Sequence, residues 1–184
     1  MAADPLKLAA LMAQAISAVP NVGSATWQRE IERIIARGHM AAWMAGTAER
    51  LGVPVDSPLL SQARLSRTER REIQQVIDGQ LRYFRGFQAD MKDMTPAQIM
   101  ARAQLYAGAT RATYSTQRWG DWQLPYQPTQ GSECVTNCRC HWEVQDNGDG
   151  TGTAVWHLGA AERHCATCPA RASQSPYSVR RRAA

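Results

Sequence analysis

Apolar residues recur at helical spacing through the first two thirds of the chain and alternate at strand spacing only near its end. From about Pro5 to Val19 they fit a helix that Pro20 stops, because proline has no N–H to give and crowds the preceding turn. Asn21-Val22-Gly23-Ser24 reads as a turn, with Ser24 or Thr26 as N-cap of a second helix. Trp27, Ile31, Ile34 and Ile35 set the inner stripe of that helix, Trp43 and Met44 extend it, and Gly52-Val53-Pro54 ends it. A third helix opens at Ser66-Arg67-Thr68-Glu69, where hydroxyl and carboxylate are spaced so that each satisfies a backbone N–H left open at a helix start. Ile73, Val76, Ile77, Leu81, Phe84 and Met91 line its inner side, and Arg70, Arg71, Asp78, Arg82, Arg85 and Asp90 take the other faces.

A fourth helix begins at Thr95-Pro96-Ala97-Gln98: a cap residue, proline at the first helical position, and Gln closing a second capping box. It runs through Ile99, Ala103, Tyr106, Ala107 and Tyr114. Ala103, Ala107, Gly108, Ala109 and Ala112 are small enough to let another helix approach closely, from this chain or from a neighbour. The aromatic and Met positions of all four helices read as core, and His39, with no metal partner in sight, reads as structural. After Arg118 the pattern breaks. Trp119-Gly120-Asp121-Trp122-Gln123-Leu124-Pro125-Tyr126-Gln127-Pro128 cannot continue a helix, and its large rings predict a loop that packs on something.

Strand alternation appears from His141 to Gln145, with Trp142 and Val144 on one face, and from Thr153 to Leu158, with Ala154, Trp156 and Leu158 on one face. The link Asp146-Asn147-Gly148-Asp149-Gly150 is dense in residues that tolerate positive φ, so the two runs form a hairpin. All five cysteines flank it, as Cys134, Cys138 and Cys140 on one side and Cys165 and Cys168 on the other. Pairing the strands brings the two groups together at the open end. Four converging thiolates match tetrahedral zinc, whose binding would stabilise two strands too short to fold alone. Cys165 and Cys168 have the spacing of a metal knuckle, and Cys138 and Cys140 complete the set. Cys134 is an alternative to either of the latter two, and His164 or His141 to one thiolate in a mixed site. An odd count of cysteines and the lack of an export signal argue against disulfides.

The expected architecture is therefore mainly α: a helical domain at 1–118, an aromatic loop with a zinc-ribbon-like β-hairpin lobe at 119–170, and a basic tail at 171–184. Charge sharpens the last boundary. The tail holds Arg171, Arg180, Arg181 and Arg182 and no acid, and setting those four aside leaves 17 Lys and Arg against 16 acids. A terminal cluster such as Arg180, Arg181 and Arg182 suits an acidic partner or nucleic acid, and equally a solvated end. The apolar stretch near Leu8 is too short and too polar to span a bilayer, so no membrane role is expected.

His141-Trp142-Glu143 followed by Cys165-Ala166-Thr167-Cys168 formally matches a zinc deaminase pattern, with Glu143 as proton shuttle. His164 stands where that pattern has proline, the His and Glu lie in a strand run, and no α/β sheet is in evidence. A nucleic-acid-binding zinc ribbon is the other alternative, but its hairpin should carry Lys or Arg, and this one carries Glu143, Asp146 and Asp149.

Tyr106-Ala107-Gly108-Ala109-Thr110-Arg111-Ala112-Thr113-Tyr114, Leu124-Pro125-Tyr126-Gln127-Pro128, Gly131-Ser132-Glu133-Cys134, Asn137-Cys138-Arg139-Cys140 and His164-Cys165-Ala166-Thr167-Cys168 resemble the C-terminal half of tailed-phage minor head, or head morphogenesis, proteins, among them relatives of the phage Mu minor head protein. The resemblance covers about Thr95 to Cys168. It implies a non-enzymatic virion protein of the head, portal or neck, made in the host cytoplasm and present in several copies. Its expected partners are portal, capsid or adaptor subunits, and packaged DNA through the basic tail.

Overall fold

The computed structural model describes residues 5–58, 60, 67–128, 139–159 and 165–182. Four long helices form the body: α1 (Pro5–Ala18), α2 (Ala25–Leu51), α3 (Arg67–Asp90) and α4 (Pro96–Arg118), with a short 3-10 turn at Met91–Asp93 between the last two. A short helix α5 (Thr167–Ser173) and strands β1 (His141–Asp146), β2 (Thr151–His157) and β3 (Tyr177–Arg180) form the C-terminal lobe. The chain is thus mainly helical with one small antiparallel sheet.

Local signals set the helix ends. Trp27 N–H donates to the Ser24 hydroxyl at 3.1 Å, which makes Ser24 rather than Thr26 the cap of α2. At the other end Gly52 adopts φ 67°, a left-handed conformation that glycine takes without strain, and its N–H reaches back to the last carbonyls. At α4, Gln98 N–H donates to the Thr95 hydroxyl while Thr95 N–H donates to the Gln98 side chain, a complete capping box. Ser66, the expected cap of α3, lies outside the described residues.

Helix α2 is the spine. Its Trp27, Ile31 and Ile35 meet Met12 and Ile16 of α1, Phe84 and Phe87 of α3, and Ile99, Ala103, Tyr106 and Ala107 of α4, all buried in one core. Of the small residues of α4, Ala103 and Ala107 lie in this core, Gly108 lies under Arg139 and Ala112 joins the lobe's cluster; the close crossing comes at Gly46 of α2, where a Cβ would run into the Tyr114 carbonyl oxygen and stand 2.9 Å from Gln117 Cβ. Polar groups bind the same pair of helices. The buried His39 ring of α2 meets the Thr113 hydroxyl of α4 at 2.8 Å.

The predicted hairpin forms in the register Trp142↔Trp156 and Val144↔Ala154. Its link turns through Gly148 and Gly150, both at positive φ, and the Asp146 and Asp149 carboxylates accept from the N–H groups of Gly148 and Thr151. Two features depart from expectation. Strand β2 ends at His157, which leaves Leu158 37% exposed instead of on the inner face. The sheet also has three strands, in the order β1-β2-β3, and the third comes from the stretch read as a basic tail. Tyr177 and Val179 alternate with polar neighbours, Val179 is buried opposite Gly152, and Trp156 N–H donates to the Ser175 hydroxyl at 2.8 Å. Charge favours the return: residues 119–170 carry six acids against Arg139 and Arg163, and Arg181 pairs with Asp146 at 2.6 Å.

The lobe docks on the body through α4. Strand β1 is an edge strand, and an edge leaves backbone groups without partners. Here Trp142 N–H donates to the Ser115 hydroxyl at 3.0 Å, and the Trp119 indole donates to the Trp142 carbonyl at 2.8 Å. The aromatic loop packs as predicted. Trp122 is buried and bridges to Arg181, and the Tyr126 ring lies 5.0 Å from Trp142 and 5.2 Å from Trp156. No helix among the described residues is long and apolar enough to cross a membrane.

Candidate metal centre

The open end of the hairpin is set by the pair His141↔His157. Cys140 immediately precedes β1, and Cys165 and Cys168 bracket the first turn of α5, where Cys168 N–H donates to the Cys165 carbonyl at 3.3 Å. Cys140 and Cys168 are buried in the aromatic cluster with Trp142, Trp156 and Val179, and Cys165 packs against it half-buried. The Cys165 thiol donates to Cys168 Sγ at 3.2 Å. The hairpin therefore brings both sides of the cysteine pattern into one cluster, as its topology requires.

Two of the residues named for the metal, Cys138 and its alternative Cys134, lie outside the described residues, as does His164. Among the described residues no three His, Cys, Asp or Glu side chains stand close enough together to hold a metal ion. Cys140, Cys165 and Cys168 thus share a cluster without forming a three-ligand cage. The pair itself fits zinc in donor chemistry and spacing. Two thiolates, each about 2.3 Å from a tetrahedral ion, stand about 3.8 Å apart, and 3.2 Å is a short movement away.

The deaminase pattern is not assembled. His141, Glu143, Cys165 and Cys168 are all described, and they do not form a metal-holding group. Glu143 instead pairs with His157 at 3.0 Å, with Glu143 68% exposed on the solvent side of the hairpin. His141 stacks on His157 with ring centres 5.3 Å apart. Loss of solvent, aided by the Arg111 and His157 charges, lowers His141 from 6.5 to about 4, so this imidazole is neutral at pH 7.

The Arg180, Arg181 and Arg182 cluster is divided by the fold. Arg180 is exposed at the end of β3. Arg181 holds Asp146 and stacks over Trp122 at 5.2 Å. Arg182 donates its backbone N–H to the Asp121 carbonyl at 2.6 Å, and its side chain lines a cleft of about 680 Å³ between α2, α3 and α4. That cleft also touches His39, Trp43, Glu69 and Glu72, and no sequence motif announced it. Arg171, read only as part of the tail, lies 3.9 Å over the Tyr126 ring in the lobe's cluster. An isolated arginine, 45 residues along the chain from Tyr126, carries no local signal of that contact.

Comparison with known proteins found no family, no curated protein and no solved structure that matches this chain.

Proposed function

We propose that this is a structural virion protein of a tailed bacteriophage, a minor head or head–tail component that acts by protein–protein contacts and carries a structural zinc site in its C-terminal lobe. One observation carries the reading. The described parts of the motifs that resemble minor head proteins lie far apart in sequence and close in space: Arg139, from the Asn-Cys-Arg-Cys element, lies across Gly108 of α4, where a Cβ would stand 3.0 Å from its Nε. The Tyr126 ring of the proline-rich loop packs at a tilt against Trp142, and Cys140, Cys165 and Cys168 share the same cluster.

Zinc would be held by Cys140, Cys165 and Cys168 with Cys138 or Cys134, and would join β1 to α5. The lobe would then present a rigid surface to portal, capsid or adaptor subunits. With Arg181 committed to Asp146 and Trp122, a contact with packaged DNA falls mainly to Arg180. Metal analysis of the purified chain, together with its position in an assembled particle, tests the proposal. Stoichiometric zinc and a place at the head or its portal are expected. A folded lobe without zinc, a zinc ion that keeps a water beside Glu143, or a protein absent from every assembly stage would overturn it.

A further inference from the structure

We propose that Cys165 and Cys168 form a reversible disulfide, a second state of the thiol pair that competes with the metal. The competition rests on the zinc reading above; the disulfide does not. The two sulfurs already touch at 3.2 Å, with the Cys165 thiol directed at Cys168. The 3.3 Å hydrogen bond from Cys168 N–H to the Cys165 carbonyl folds the backbone into one tight turn. Such a turn keeps the two Cα atoms within the roughly 4.4–6.8 Å that a disulfide spans. Neither residue is in a disulfide in this structure.

Access gives the two sulfurs different tasks. Cys165 is half-buried and Cys168 is 1% exposed, so an incoming oxidant meets Cys165 first. With oxidised glutathione as oxidant, the Cys165 thiolate attacks one glutathione sulfur. The glutathione S–S bond breaks, one glutathione thiolate leaves, and a mixed disulfide forms. Cys168 then gives up its proton to solvent, and its thiolate attacks Cys165 Sγ. The second glutathione thiolate leaves as the protein disulfide closes. Two protein thiols are oxidised, one glutathione disulfide is reduced to two thiols, and the protons balance.

A disulfide sulfur is no longer a thiolate and does not serve as a zinc ligand. Oxidation would release the ion, and bound zinc would shield the pair from oxidation. Because Cys168 sits inside the aromatic cluster, this exchange acts on the packing of the lobe rather than on its surface alone.

The test uses the full chain, reduced, in two portions: one stripped of metal by a chelator and one loaded with zinc. Both are incubated in mixtures of reduced and oxidised glutathione, trapped by alkylation and mapped by peptide mass spectrometry. The stripped portion should accumulate a Cys165–Cys168 crosslink that reverts on reduction, and the zinc-loaded portion should resist. Cys165→Ser and Cys168→Ser should each abolish the crosslink, and Cys140→Ser should keep it. A crosslink from Cys165 to Cys140, Cys138 or Cys134, or full alkylation of both thiols at every glutathione ratio, overturns the proposal. Zinc content separates the two readings. A Cys165–Cys168 crosslink in a chain that never takes up zinc leaves the disulfide standing and removes the metal, and zinc uptake with no crosslink does the reverse.

Discussion

The helical body and the C-terminal lobe are held together by different means. In the body, helices of 14, 27, 24 and 23 residues bury aliphatic and aromatic side chains in a main core and two smaller clusters beside it. The lobe has strands of 6, 7 and 4 residues, and its cluster consists of Trp122, Trp142, Trp156, Tyr126 and Tyr177, three thiols and a few small aliphatics. Strands that short are marginal without added support. The lobe draws that support from outside its hairpin: from Ser115 of α4, from Trp119 just after it, and from the returning C-terminal segment. The cores differ in the same sense: the lobe's cluster takes in Ala112 of α4, while the main core of the body contains no lobe residue.

The largest expected effect tests that asymmetry. Trp142→Ala removes a ring that is 2% exposed and contacts Trp156, Tyr126 and Tyr177. Emptying such a site costs about 3–5 kcal/mol, more than a three-stranded sheet can spare. Hydrogen exchange followed by mass spectrometry should show protection lost across β1, β2 and β3 and retained in α2 and α4. If α2 and α4 lose protection to the same degree, the two regions are one cooperative unit and the contrast fails.

Acid tests the body from the other side. Burial lowers His39 from 6.5 to about 4, because the ring loses solvent at the α2–α4 contact. Above pH 6.5 the ring is neutral in both states, and this group opposes folding in neither. Between pH 6.5 and about 4 the unfolded chain takes up the proton and the folded one does not, so stability falls as pH falls, by about 3 kcal/mol across the window. Chemical unfolding followed by helical circular dichroism should show this slope, and His39→Gln should reduce it, leaving the part that His141, lowered over the same range, contributes. A slope unchanged in that variant would assign the acid sensitivity elsewhere.

How legible each region was follows from the same contrast. Helix ends are local, so Thr95-Pro96 and Gly52 announced themselves within a few residues, and the start of α2 was narrowed to Ser24 or Thr26. The hairpin was legible too, because Trp142-Val144 and Ala154-Trp156 alternate around a glycine-rich link. The third strand was not. Tyr177 and Val179 do alternate, but four residues are a weak pattern, and the adjoining arginines read as a solvated end. What folds them back is pairing with β2 and burial of Val179 in the lobe's cluster, with the exposed Arg181–Asp146 pair, 35 residues apart, adding little. The His39–Thr113 contact spans 74 residues and follows only from the way α2 crosses α4. Of the candidate metal site, the meeting of Cys140 with Cys165 and Cys168 in one cluster could be deduced from hairpin topology, because strand pairing fixes which ends are neighbours.

The close crossing inside the body gives a smaller effect. Gly46→Ala places a methyl against the Tyr114 carbonyl and Gln117 Cβ, both parts of a helix that cannot yield locally. An overpacked contact of this kind costs about 1–3 kcal/mol. Thermal unfolding should fall accordingly, and exchange should rise in α2 and α4. The lobe should be disturbed as well, since Ser115 and Trp119 follow directly from the displaced turn. A body effect without a lobe effect would show that the docking is looser than the hydrogen bonds imply.

The smallest change separates local from long-range support. Thr95→Ala deletes the hydroxyl that caps α4 and leaves the Gln98 N–H without its partner. Loss of an N-cap costs about 1 kcal/mol. The first turn of α4 should fray, as amide exchange from Ala97 to Ile99 will report. That turn is 20 residues from the Ser115 and Trp119 contacts, and α1, α2 and α3 pack against the helix between them. Protection in β1 should therefore stay at its wild-type level. If it drops with the fraying end, α4 carries strain along its whole length, and the lobe is coupled to the far end of the body through that one helix.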